Sequence, residues 1–490
     1  MWDSDPVVRA DGGGEEERGG GVSEFSTVAG QWPFDIKVLS NPCWIHFSPA
    51  TTTTSVPRNK YDPKNVGEHV ILTNGYRWPN VHDLSKGPWL LSYVCSHWRA
   101  VITSTPELWS SFCLDLPTVT HSHSELDVLK TWISRCGKRN LAIRVPADLA
   151  MYNRGKELLG IVVELTERWE ELELISSNRR FWRLPNITTR LTSLKRIALL
   201  PHTVLARSRP RSYVDPSIFH GVHVPFLHSV QNHDWILLDV GTFPWVQITK
   251  YEGSERSTSH LHILRCMTNL ERCALEFLCG STDLYSDSVT TLSRLLELRT
   301  CWFFDEQTWP LPEFRLFRFP ALKSLSILAE DYPLPFITFT YILEQSNASL
   351  EKLELSSQVG HNRDDLVSFF HTNAMASVTT LRLWVTVPQQ HELAIHGAII
   401  SLLVEGSLLP LLHTIEIVIA EPRTSFALDL VALAKTVRAR KASGVGIRNL
   451  VIVHRQGEIG TGYSLPPILE VLQEEGLDVV VRLTDDCFVG

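Results

Sequence analysis

Histidine, cysteine and arginine supply the few side-chain groupings in this chain whose spacing chemistry can use. His121 with His123, and His260 with His262, are H-x-H pairs of the kind that can ligate a metal. Neither has a cysteine or carboxylate ligand set beside it, so both read as surface or hydrogen-bonded core histidines. Gly444 and Gly446 in GVGIRN lack the third glycine and the strand–turn–helix setting of a dinucleotide loop. There is no G-x-S-x-G, no P-loop and no H-E-x-x-H. The 9 cysteines are scattered without a C-x-x-C pair, which fits reduced thiols, and Cys273 and Cys279 read as small apolar fillers. Arg207, Arg209 and Arg211 form a short basic run that could grip an acidic or phosphorylated segment, with a solvated loop as the plainer reading. The expectation is a chain that is not an enzyme, with no catalytic residue, no metal and no cofactor.

Bulk charge narrows the partners. The net charge of −8 and a pI near 6.2 argue against nucleic acid or an anionic membrane as the main partner, because both need a basic face. Hydrophobic residues at 44% and charged residues at 20% suit a globular chain able to bury a sizeable core. No apolar run approaches the ~18 residues of a spanning helix, and the acidic, glycine-rich N-terminal stretch does not read as a signal peptide. The expected location is cytoplasmic or nuclear. The sequons at Asn186 and Asn347 then read as chance matches.

Such a chain must act by binding, and its elements decide where. Residues 1–30 combine glycine with charge and lack apolar periodicity, which predicts disorder. Residues 31–86 are irregular, with a strand or two in QWPFDIKVLSNPCWIHF. From Pro88, the gaps of three and four between Leu91, Val94, Cys95, Trp98, Val101 and Ile102 predict one amphipathic helix. Ser104 or Thr105 ends it and caps a short second helix that opens on Pro106 and carries Leu108, Trp109 and Phe112.

Beyond residue 117 the chain repeats. Short apolar pairs mark strands at Leu141/Ile143, Leu172/Leu174, Ile197/Leu199, Val246/Ile248, Cys273/Leu275, Leu325/Ile327, Leu353/Leu355, Leu381/Leu383, Ile415/Ile417, Leu450/Ile452 and Val479/Val481, with a weaker one near Leu298. Leu298, Leu325, Leu353 and Leu381 follow at intervals of 27, 28 and 28 residues. Helix-like runs lie between the late strands; one ends in Lys435, Arg438, Arg440 and Lys441 before Gly444, a C-terminal stop. A period in the high twenties with LxxLxL strands predicts an α/β fold, a leucine-rich-repeat-like solenoid with parallel strands and helices on its convex side, over 117–490. Alternation in such strands turns Lys352, Glu354, Arg382, Trp384 and Glu416 away from the core. These are the candidate residues for holding a protein substrate, Trp384 and Arg382 foremost.

The segment PWLLSYVCSHWRAVITSTPELWSSF resembles the second half of the F-box in a large family of fungal F-box proteins. Trp89, Leu91, Val94, Cys95, Trp98, Arg99, Thr105, Pro106, Leu108, Trp109 and Phe112 carry the pattern. FHGVHVPFLHSV and FPWVQITKYEG…LHILRCMTNLERCALEF resemble two further segments of that family. The LPxE-like turn and apolar first helix of the family's F-box have no counterpart upstream of Trp89. The resemblance implies docking on a Skp-type adaptor of a cullin–RING ubiquitin ligase through Pro88, Trp89, Leu91, Val94, Cys95, Trp98, Pro106, Leu108 and Trp109. It implies a substrate receptor with an unknown protein substrate. The alternative is a leucine-rich-repeat scaffold that has lost ligase coupling.

Overall fold

The computed structural model describes residues 34–38, 45–49, 78–115, 124–146, 149, 152–176, 191–201, 223–233, 243–255, 259–277, 288–302, 312–329, 334–356, 363–385, 395–404, 408–419, 430–444, 446–455 and 467–484. The expected disorder of 1–30, the His121/His123 pair, Cys279 and the arginine run at 207–211 lie outside them. The chain divides into two units, Met1–Thr73 and Asn74–Gly490. In the first, β1 (Phe34–Val38) and β2 (Ile45–Pro49) pair antiparallel, within the stretch expected to hold a strand or two.

The second unit is an α/β structure built on a 14-stranded parallel sheet. Its strands are β3 (Ser111–Cys113), β4 (Leu141–Pro146), β5 (Trp169–Ser176), β6 (Arg196–Pro201), β7 (Ser229–His233), β8 (Lys250–Glu255), β9 (Arg272–Phe277), β11 (Glu297–Trp302), β13 (Ser324–Ala329), β14 (Lys352–Ser356), β15 (Thr380–Val385), β16 (Thr414–Ile419), β17 (Asn449–Arg455) and β18 (Asp478–Thr484). The two-residue β10 (Thr290–Thr291) and β12 (Phe317–Arg318) pair with each other. Each long-sheet strand lies beside the one before it in the chain, which is what a repeating strand-and-connection unit produces. The helices pack on their neighbours along the sheet, as between Phe336–Ser346 and Arg363–Phe370.

The register lines up two inner rows. Leu325, Leu353, Leu381 and Ile415 stand side by side in one, and Ile327, Leu355, Leu383 and Ile417 in the other, all buried. These are the apolar pairs expected from the repeat. The sheet begins before the expected start near 141, with β3, and the Phe219–Val230 segment supplies β7 near its end. The Val246/Ile248 strand is not formed. Trp245–Gln247 is a 3-10 turn, Trp245 and Ile248 bury at helical spacing, and the strand starts at Lys250 with Tyr251 inward. Pro244 before the turn fixes φ and removes a donor, which favours the turn over a ladder position there.

The single helix expected from Pro88 to Ile102 is two. Gly87–Ser92 carries Pro88 in its first turn, and Ser96–Thr103 starts afresh after Cys95, whose φ of −161° is extended. Cys95 Sγ accepts from Trp98 N (3.5 Å), and Arg99 Nε donates to Ser92 O (3.0 Å), so the break is closed by side chains. The burial stripe breaks with it: Pro88, Trp89 and Ser92 are buried on the first helix and Ile102 on the second, while Val94 and Cys95 are exposed. Thr105 then precedes a 3-10 turn at Pro106–Trp109, where the proline placed a helix start, but the Thr105 side chain does not cap it, and Phe112, expected on the same helix, lies on β3.

Near the C-terminal end, Leu430–Ala442 stops before Gly444 (φ +80°) at the expected place. Arg440 does more than end a helix. It is fully buried, and donates to Leu408 O (2.7 Å) and Leu409 O (2.5 Å) in the preceding connection, where Leu409 holds a left-handed φ of +49°. The guanidinium fork thus satisfies carbonyls that a strained turn leaves without a ladder partner.

Candidate functional site

Two groups of predicted residues are placed far apart in the chain and differ in what they can do. The first is the helical pair. Trp89, Trp109 and Trp132 meet edge to face, with centroids 5.0 Å apart for Trp89–Trp109 and for Trp109–Trp132. The Arg135 guanidinium lies 4.6 Å from the Trp89 ring centroid and 4.4 Å from that of Trp109. Trp109 Nε1 donates to Ile102 O (2.8 Å), while Trp109 O accepts from Trp132 Nε1 (2.6 Å). Trp132 belongs to the helix Ser124–Arg135 and β3 is the first strand of the sheet, so the pair is built into the end of the solenoid-like unit.

This packing splits the nine expected adaptor residues. Pro88, Trp89, Leu108 and Trp109 are buried, and hold the end of the sheet together. Leu91, Trp98 and Pro106 are half-buried. Val94 and Cys95 reach solvent. Sequence reasoning missed Leu90 and Tyr93, which are 48% and 58% exposed; Leu90 is on the first helix, Tyr93 follows its last residue, and the exposed Val94 (41%) is next in the turn. The outward apolar spacing was present in LLSYV but was overshadowed by the longer inward stripe.

The second group lies on β14 to β16. Register puts Glu354, Arg382 and Glu416 in one row, and Ser356, Trp384 and Val418 in the next. Arg382 Nη1 is 3.7 Å from Glu354 Oε1, and its Nε is 3.4 Å from Glu416 Oε2. Trp384 Nε1 donates to Glu354 Oε1 (2.5 Å), and the guanidinium lies 5.5 Å from the Trp384 ring centroid. The structure therefore joins four of the five predicted residues in one ladder. Lys352 stands in a separate row with Thr380 and Thr414.

One expectation needs correction here. Outward residues were expected to leave the core untouched, but Trp384 packs on Val418, Val451 and Val453, which are buried on this same face. TIEIVI and NLVIV lack the polar alternation of KLELS, the mark of strands covered on both faces. That run of valines was the available signal.

Elsewhere on the sheet, at the starts of β5 to β9, runs a groove of about 500 Å3, lined by Glu170, Glu171, Lys195, Arg196, Lys250 and Arg272 among others. Its charges pair across strands: Lys195 with Glu170 at 2.6 Å and Arg196 with Glu171 at 3.4 Å. Such exposed pairs add little stability and leave a mixed-charge surface.

Burial pushes the Cys113 thiol up to about 11 and that of Cys136 up to about 12, and raises Cys273 as well, so these thiols stay protonated at neutral pH. His260 is buried and hydrogen-bonded to Tyr251 (2.5 Å to the hydroxyl), while His262 is two residues along the same helix, on a different side of it. Among the described residues no group of three His, Cys, Asp or Glu is placed to hold a metal ion. No helix among them is long and apolar enough to cross a membrane.

Burial holds His233 down to about 4; Glu252 opposes this shift and His260 adds to it. Gln231 Nε2 donates to His233 Nε2 (2.8 Å), an acceptor role that only neutral imidazole fills. Since the folded value lies below the ordinary 6.5, the unfolded chain binds more protons between these limits. Stability is full above about pH 6.5 and falls toward pH 4, by on the order of 2 kcal/mol from this residue. Urea unfolding at pH 7 and pH 5 should show this loss, and His233→Gln should flatten it; equal slopes in both proteins would remove His233 from the account.

Comparison with family models, with curated proteins and with solved structures yields no match for this chain.

Proposed function

We propose that this chain is the substrate-recognition subunit of a Skp–cullin–F-box ubiquitin ligase, a leucine-rich-repeat-like solenoid ending in a partial F-box. The observation that carries the reading is the exposed apolar face of Leu90, Tyr93 and Val94 on a helical pair whose other face is anchored by tryptophans. A rigidly mounted helix that leaves apolar side chains in water is suited to dock a partner helix. In this reading the buried Pro88, Trp89, Leu108 and Trp109 position the dock and do not touch the adaptor. The chain transfers nothing itself; it raises the local concentration of a substrate held on β14 to β16 beside subunits that do the chemistry. The ladder of Glu354, Arg382 and Glu416 around Trp384 suits a polar-rimmed protein interface and lacks the cationic excess that nucleic acid requires.

The test uses the full chain as bait. Leu90→Asp with Val94→Asp should cut recovery of a Skp-type adaptor about tenfold or more while the thermal melt holds, because both side chains are already in water. Lys352→Glu and Arg382→Glu should each abolish capture of substrate while adaptor recovery persists. Undiminished adaptor recovery by the first variant rules out this dock. A folded wild type that recovers no adaptor, yet captures proteins through Arg382, selects the scaffold reading.

A further inference from the structure

The two ends of the long sheet are finished differently. At β3, Cys113 N donates to Pro79 O (2.9 Å) and Cys113 O accepts from Val81 N (3.0 Å), so the 79–81 stretch covers that edge. At the other end, β18 pairs only with β17 among the described residues. In a parallel ladder a residue's own N–H and C=O face the same neighbour. Asp478 N donates to Arg448 O (2.9 Å), so Asp478, Val480 and Arg482 direct their backbone groups to β17. Val479 and Val481 turn theirs to the other side; there Gln473 Nε2 donates to Val479 O (3.2 Å), and the second lone pair of that carbonyl together with the other donors and acceptors of the row can template another strand.

We propose that the occupant of this edge is a second copy of the chain, β18 running antiparallel to β18 about a two-fold axis at Val480. Two independent conditions select that register. Hydrogen bonding requires an edge-facing residue opposite each edge-facing residue, which allows Val479 to face Val479, Val481 or Leu483. Of these, only Val479 opposite Val481 sets Asp478 opposite Arg482, and symmetry makes that pair twice. Both side chains are exposed. They fall in a non-hydrogen-bonded pair, the position where opposed side chains come closest, at a Cα separation of about 4.5 Å. A shift of two residues places Asp478 opposite Val480 in one direction and Arg482 opposite Val480 in the other, leaving each charge facing an apolar side chain. The same register extends the apolar inner rows across the axis through Val479 and Val481. Because the patch is self-complementary, association closes at two copies.

The experiment is sedimentation of the full chain across a range of concentration, with far-UV circular dichroism to confirm the fold of each variant. The wild type should pass from one to two copies. Arg482→Asp sets carboxylates opposite each other twice and should raise the dissociation constant about tenfold or more. Adding Asp478→Arg to it restores opposite charges and should restore the dimer. Val481→Pro removes an N–H that the chain's own ladder leaves unused, and should give a folded monomer. A wild type that stays monomeric at every concentration overturns the proposal, as does a dimer that Arg482→Asp leaves intact or that the charge swap fails to rescue.

Discussion

Trp109→Ala is expected to lower the unfolding free energy by about 3–5 kcal/mol, the usual loss when a large buried aromatic is truncated. Trp109 has no exposed surface, and its ring touches Trp89 and Trp132 at centroid distances of 5.0 Å each. The indole N–H donates to the Ile102 carbonyl, and removal leaves that buried acceptor only the longer bond from Thr105 N (3.3 Å). The damage spreads because β3 is only three residues long and follows Trp109 by one. Without its anchor, β3 leaves β4, and β4 becomes a bare sheet edge prone to pair with other chains. Urea unfolding measures the loss, and amide exchange should place it over 87–146. Trp109→Phe, which keeps a ring but no donor, should fall between the two. A loss under about 1 kcal/mol would show that the cluster does not hold the sheet end. Poor adaptor recovery by Trp109→Ala would accordingly report a melted mount, which is why the exposed Leu90 and Val94 make the cleaner test.

Gly253→Ala should cost about 3 kcal/mol, the upper end of what overpacking a core produces. Gly253 lies in an inner row, between Asn232 and Leu275, where most strands place a branched apolar side chain. A Cβ there would sit 2.6 Å from His260 Cε1, 2.7 Å from His260 Nδ1 and 2.9 Å from Tyr251 Cε1. Neither ring can yield readily, because the two are hydrogen-bonded and both are buried. The His260 ring therefore fills the space that a side chain at 253 occupies in other strands. If so, Gly253→Ala and His260→Ala are coupled, and the double variant should be less damaged than the sum of the singles. Chemical denaturation of the three variants gives the cycle. Strict additivity would mean that the two residues do not share that space.

Repetition and alternation were legible in the amino-acid order, because both are local. The spacing of Leu325, Leu353 and Leu381 identifies the inner row, and KLELS and TLRLW show which residues turn outward. Gly444 after a basic turn and Pro106 after Thr105 mark their helix ends by short-range sterics. What escaped depends on residues distant in the chain. The break at Cys95 is closed by Cys95 Sγ accepting from Trp98 N and by Arg99 Nε donating to Ser92 O, side-chain contacts that no helical periodicity encodes. Val246 and Ile248 were assigned to a strand as an apolar pair, while the ladder forms two residues beyond them, at Lys250. Trp384 was correctly turned outward, yet only the juxtaposition of β16 and β17 surrounds it with buried valines and makes it structural as well as exposed. Arg440 was a helix-end charge by sequence; only the left-handed Leu409 beside it explains why a guanidinium is drawn inside. Local pattern thus specifies each strand and its faces, whereas burial, the division of the tryptophans between mount and surface, and the open edge of β18 arise from which strands become neighbours.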